Sequence, residues 1–266
     1  LSRALEHSEV ERYPYLCANL WYGSGVLTRM HGDLPQASVY LNESLQLWKG
    51  LNDHYHIGLT LNSLGVVLFN QSEYARAGEL FAENLLLYEE LGEANRVAIA
   101  LNNLGNVAFK QGDLERAAMY YHQALQLMEG DQSHRRTVAL LKLNLGEIAR
   151  LRKEYAQSAT LLHECVVINL ELNDTENILF CLNNLVEIAI DQGQHALAAQ
   201  VLGAAEALYE QSGAARSPVE AEDYDRQVAA VHARLAVDRF ELAWSQGRAA
   251  ILEELITEAI HSILDA

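Results

Sequence analysis

The chain has 266 residues, half of them hydrophobic, and a formal net charge of −17 from 36 acidic against 19 basic side chains. A surface of that sign repels phosphate backbones and argues against direct nucleic-acid binding by this segment. No apolar run approaches the ~20 residues that span a bilayer, and no basic stretch leading into an apolar one reads as a secretory signal. With only three prolines the composition suits nearly continuous helix. The cysteines, Cys17, Cys165 and Cys181, are odd in number and lack metal-type spacing, so they read as reduced core thiols of a cytoplasmic protein.

In chain order, residues 1–10 read as the end of a truncated repeat, because Ala4 and Leu5 stand where Ser44 and Leu45 stand one period later. The first complete helical hairpin is expected from about Glu11 to Leu51. Pro14 lies in its opening turn, where the missing N–H does no harm, and Asp33 with Gln36 resembles a capping box. The second hairpin spans 54–91 with its turn at Gln71-Ser72, and the third spans 94–129. A longer linker through His134 leads to the fourth, 135–172. The fifth, 174–212, turns at Gln192-Gly193. Residues 213–266 lack the repeat pattern and are expected to cap it. Ser217-Pro218-Val219-Glu220 is a strong helix start, for a helix running to about Val237. A short helix from Asp238 to Gly247 and an amphipathic one from Ala249 to Leu264 follow.

The hairpins share one grammar. Ala100-Leu-Asn-Asn-Leu-Gly-Asn-Val-Ala-Phe109 is echoed by Thr60-Leu-Asn-Ser-Leu-Gly65 before it and by Leu143-Asn-Leu-Gly146 after it. The equivalent small-residue positions, Gly25, Gly65, Gly105, Gly146 and Val186, are spaced by 40, 40, 41 and 40 residues. Such a period means stacked units. Leu101, Leu104 and Ala108 share one helix face, and Gly105 on that face allows close approach of a neighbour, with Ala117 as the small residue facing it. Gly112-Asp113 ends one helix and caps the next.

This Gly, Gly-Asp, Ala pattern resembles the tetratricopeptide repeat over residues 11–212. The resemblance implies an all-α, right-handed superhelical solenoid of antiparallel helix pairs, closed here by a C-terminal helical cap. The period exceeds the usual 34 of that family, as it does in kinesin light chains, which open with a similar Leu-Asn-Asn-Leu. HEAT repeats have comparable periods without these small-residue marks. In the tail, Val201-Leu-Gly-Ala-Ala-Glu-Ala-Leu208 and Phe240-Glu-Leu-Ala-Trp-Ser-Gln-Gly-Arg248 resemble the C-terminal sensor regions of bacterial signal-transduction ATPase transcriptional regulators. That likeness implies upstream ATPase and DNA-binding modules in a longer parent chain.

No constellation for catalysis is present: there is no phosphate-binding Gly-rich loop with its Lys and no His-Glu-x-x-His, and His54 and His56 diverge on a helix. No enzyme activity, cofactor or metal is expected. A protein- or peptide-binding scaffold is the leading reading, with a spacer or oligomerisation solenoid and a small-molecule inducer sensor as alternatives. The candidate groove lies on the first helices of the hairpins. Asn62, then Asn102 and Asn103, then Asn144, then Asn183 and Asn184 occupy equivalent adjacent positions. One turn later come Val66, Asn106, Glu147 and Glu187. Nearly one turn further lie Phe69, Phe109 with Lys110, Arg150, and Asp191. Asn is a poor helix former, so its recurrence needs a reason. A row of amides can grip the backbone of an extended peptide, with Phe69 and Phe109 taking apolar side chains and Glu147, Glu187 and Asp191 a basic one. The same amides could equally bond one another as a structural ladder.

Overall fold

The computed structural model describes residues 12–128, 130, 132–213 and 216–266; the expected truncated repeat of residues 1–10 lies outside them. Among the described residues all regular structure is helical: α1 (Pro14–Met30), α2 (Leu34–Leu51), α3 (His54–Asn70), α4 (Tyr74–Leu91), α5 (Ala94–Lys110), α6 (Leu114–Met128), a 3-10 turn (Gln132–His134), α7 (Arg135–Leu151), α8 (Tyr155–Leu172), α9 (Thr175–Asp191), α10 (His195–Ser212), α11 (Pro218–His232), α12 (Val237–Ala249) and α13 (Leu252–Leu264). The chain divides into two compact units at Met128/Glu129. The first contains the hairpins α1–α2, α3–α4 and α5–α6. The second contains α7–α8, α9–α10 and the three cap helices.

Local chemistry fixes the helix ends. Asp33, Asp53, Asp113 and Asp174 each accept the backbone N–H three residues on, at 3.1, 3.1, 3.0 and 3.3 Å, which satisfies one orphan donor per helix start. The turns inside hairpins close through a left-handed residue. Gly32, Gly112 and Gly193 take it without strain, whereas Ser72 (φ 63°) and Lys153 (φ 62°) occupy the same conformation despite their Cβ atoms.

Within each of the first four described hairpins the recurring glycine forms a slot for one large side chain sixteen residues later. A Cβ on Gly65 would stand 2.5 Å from the Phe81 ring, and one on Gly105 would stand 2.4 Å from the Tyr121 ring. Gly25 meets Leu41 and Gly146 meets Leu162 in the same way. At Gly105 a ring fills the space, and the small residue Ala117 lies fully buried one turn before Tyr121; its counterpart Ala37 brings its carbonyl oxygen to 3.3 Å from a Cβ on Gly25. In the fifth hairpin Val186 and Leu202, both fully buried, replace the pair.

The cap is welded on by backbone contact. A Cβ on Gly203 of α10 would lie 2.1 Å from the Trp244 carbonyl oxygen, and one on Gly247 of α12 would lie 1.8 Å from that of Gln200. The Trp-x-x-Gly-Arg motif is therefore a crossing point. Trp244 packs on the core of the second unit, and Arg248 forks onto Glu210 at 2.6 and 3.0 Å while covering the Trp244 ring at 4.8 Å. The full capping box of Ser217 and Glu220 opens α11. That helix stops at His232, short of the expected Val237, because Ala236 turns extended to start α12. Helix α13 lies against α8, α9 and α10. It buries Leu255, Ile256, Ala259, Ile260 and Ile263, and Val201 of α10 lies in the same cluster. Deep in that cluster the thiols of Cys165 and Cys181 meet, and burial first, then the neighbouring thiol, pushes Cys181 well above its ordinary range.

The glycine geometry gives opposite expectations for one substitution. Gly247→Ala should destabilise by about 2 kcal/mol or more, since backbone cannot yield as a side chain can. Gly23→Ala, where a Cβ meets nothing within 4 Å, should stabilise by about 0.5–1 kcal/mol. Urea denaturation of the two variants checks both signs.

Candidate functional site

In the first unit the proposed row splits into bonded pairs. Asn103 Nδ2 donates to Asn62 Oδ1 at 2.8 Å, linking α5 to α3. Asn106 Oδ1 accepts the Tyr121 hydroxyl at 2.7 Å and so anchors the ring that fills the Gly105 slot. Asn102 is only 8% exposed and belongs to the core. Val66 and Phe69 pack against the cluster around Phe81, with the Phe69 ring edge-on to Tyr74 at 5.3 Å. Phe109 is half-buried, and Lys110 is exposed.

The second unit gathers more. From α7, Arg150 Nε donates to Asn184 Oδ1 at 2.8 Å, and Asn184 Nδ2 donates to the Phe180 carbonyl at 3.0 Å. Asn184, 8% exposed, is thus fully engaged. Glu187 Oε1 accepts from Arg226 at 2.8 Å and from Gln227 at 2.9 Å, both on α11. The chain's own arginine therefore stands where the sequence reading placed a ligand's basic residue. Asp191 accepts the Tyr155 hydroxyl at 3.2 Å. Asn144 and Glu147 are half-buried on α7.

Asn183 is the exception. It is half-buried, and its amide takes part in none of these bonds. With Phe180, 47% exposed one turn earlier, it separates two clefts along α9. One, about 290 Å³, is walled by Glu147, Arg150, Glu187, Asp223, Arg226 and Gln227. The other, about 350 Å³, is walled by Thr175, Glu176, Leu179, Tyr209, Ser212 and Glu220. Three carboxylates against two guanidiniums make the first cleft net acidic. Gln227 is 2% exposed. Because a carboxylate only accepts, its amide nitrogen must face Glu187. Its Oε1 is left buried without a partner, at a cost of about 1–3 kcal/mol. In the second cleft the Ser217 N–H and hydroxyl, helped by Tyr209, hold the Glu220 carboxyl below its ordinary range.

Sequence reasoning missed Phe180, Arg226 and Gln227. Phe180 stands one helical turn before Asn183 on the same stripe, a signal that was available. Nothing in the repeat grammar locates α11, which lies outside it. Among the described residues no group of three His, Cys, Asp or Glu side chains is placed to hold a metal, and no helix is long and apolar enough to cross a membrane.

The tetratricopeptide repeat family profile matches residues 56–130, the stretch that holds the Asn62–Asn103 and Asn106–Tyr121 pairs. Over that stretch the chain is similar to tetratricopeptide repeats. No curated protein sequence matches the chain. Among solved structures, the apo form of RapI superposes with a TM-score of 0.64 at 14% identity, covering 84% of this chain and 87% of its own. A kinesin light chain of Podosopora anserina with nearly identical repeats gives 0.59 at 14% identity, covering 79% and 99%. The Rap conjugation gene regulator of plasmid pLS20, solved with a Phr peptide, gives 0.57 at 14% identity over 85% of this chain and 64% of that one. At these identities the likeness is one of fold.

The Asn62–Asn103 bond can be weighed by a double-mutant cycle with alanine at each position. A ladder contact predicts a coupling of about 0.5–1.5 kcal/mol in urea denaturation; additive losses would remove the ladder reading for this pair.

Proposed function

We propose that this segment binds an extended peptide, and that the ligand lies along α9 across Phe180 and Asn183. The observation that carries the reading is the Asn183 amide, unbonded between two clefts while Asn103, Asn106 and Asn184 are spent on internal bonds. One amide offers a donor and an acceptor, enough to hold one peptide unit of a backbone without reading its sequence. Phe180 supplies an apolar face beside it, and each cleft accepts one side chain. Both clefts carry carboxylates, so a basic or neutral peptide fits the field. Arg150 Nη1 and Nη2, free of the Asn184 bond, add an anchor for a carbonyl. In the first unit the row acts as a ladder. Glu147 flanks the first cleft from α7.

Fold likeness to a regulator solved with a peptide supports the same reading. The size of the clefts favours it over an inducer pocket: about 290 and 350 Å³ stand at the bottom of the roughly 300–1,000 Å³ range of small-molecule sites. The tail motifs around Gly203 and Trp244 support placing the segment in a larger bacterial regulatory chain, acting by binding and not by catalysis. Reading the gene upstream of Leu1 tests that placement: a nucleotide-binding module there supports it.

Panning the protein against a displayed decapeptide library, followed by calorimetry with the selected peptide, tests the site. Asn183→Ala and Phe180→Ala should each weaken binding about tenfold or more, near the 1.4 kcal/mol of a single good contact, with the melting temperature unchanged. Binding that ignores both substitutions moves the site elsewhere.

A further inference from the structure

The first unit carries a second surface, on a different face of α5 from Asn103 and Asn106. Helix α5 packs against both α4 and α6, and a trough runs along it between them. Its floor is Val97, Leu101, Leu104 and Val107. Its two hollows, of about 560 and 310 Å³, share Tyr120 on the α6 rim. The rim also presents Leu127, 46% exposed. The preceding trough lies over α3. There Trp48 stacks on His56 at 4.3 Å, and Lys49 ties α2 to Glu83 of α4 at 3.4 Å.

The second unit shows what such a trough takes. Eighty-one residues on, Ile178, Leu182, Leu185 and Ile188 stand on α9 in the places of Val97, Leu101, Leu104 and Val107. Over them, between α8 and α10, lies the amphipathic helix α13. Gln192 fixes its C-terminal end by donating to the Ile263 carbonyl at 3.2 Å. Gln111, the equivalent of Gln192, lines the open trough at the matching end. The apolar floor, the helical rims and the terminal amide donor are all repeated, without the occupant.

We infer that the α4–α6 trough docks an amphipathic helix of a partner protein, with a basic flank along α4. The charge decides the partner. Helix α4 carries Glu79, Glu83, Glu89 and Glu90 against the single Arg76, and Glu79 and Glu89 line the trough. Among the described residues the one arginine lining it, Arg116, lies over Tyr120 and beside Asp113. A second copy's α13 has the right apolar pattern, but its outward face carries Glu253, Glu254 and Glu258, and an acidic helix is opposed by the acidic α4 rim. A helix with lysine or arginine at those positions satisfies both the floor and the rim.

The probe is a fluorescein-labelled, lactam-stapled peptide of residues 252–264 carrying Glu253→Lys, Glu254→Lys and Glu258→Lys, titrated into the intact chain by anisotropy. Saturable binding is expected, at least tenfold tighter than for the unsubstituted peptide. Leu127→Asp, at an exposed position, should weaken it at least tenfold while the circular-dichroism melting curve stays in place. Three results overturn the inference. The probe fails to bind; it binds Leu127→Asp as well as the parent, which means that it displaces α13 in the second unit; or light scattering shows a dimer that Leu127→Asp abolishes, which makes a second copy the occupant.

Discussion

The first four described hairpins are each registered by a missing side chain and the ring or branched chain that fills the gap. Gly65 receives Phe81 and Gly105 receives Tyr121, with less than 3 Å to spare for any Cβ. Because filler and slot are sixteen residues apart across one turn, sliding either helix by a residue would collide the filler with backbone. The loss of helix propensity at a mid-helix glycine, about 1 kcal/mol, is offset by burying a whole ring. Everything else depends on that register. It sets which face of each first helix carries amides, and it brings Asn106 within 2.7 Å of the Tyr121 hydroxyl.

Helix α9 shows how the cap changes a repeat. On one side α13 covers its apolar floor; on the other, α11 delivers Arg226 and Gln227 to Glu187. Equivalent faces of α5 are less occupied, so two helices built from the same pattern offer different surfaces. The Gly203–Gly247 crossing fixes α12 on α10, and the remaining cap helices are strung from that weld.

Most of the architecture was legible in the sequence because period and punctuation are local. Hairpin limits at 54–91 and 135–172 match the helices, and Pro14, Ser217 and Glu220 sit where capping chemistry places them. What fills the glycine slots was not legible: a small residue on a packing face invites either a helix backbone or a ring, and only the second helix's rotation decides. The site was legible in part. The recurrence of Asn picked out one stripe of first-helix positions, yet Asn102 and Asn184 turn into the core while Asn183 does not, a difference of one helical position that periodicity cannot resolve. Arg226 was invisible because its meeting with Glu187 depends on a non-repeating helix 39 residues away.

The meeting of Cys165 and Cys181 has a practical side. Neither sulfur is exposed, and the thiolate of Cys181 is strongly disfavoured, so neither reacts with an alkylating reagent while α8 and α9 stay packed. A labelling rate at these two positions therefore measures how often the last two hairpins part. The second unit carries a built-in clock for its own breathing, readable by mass without any engineered probe.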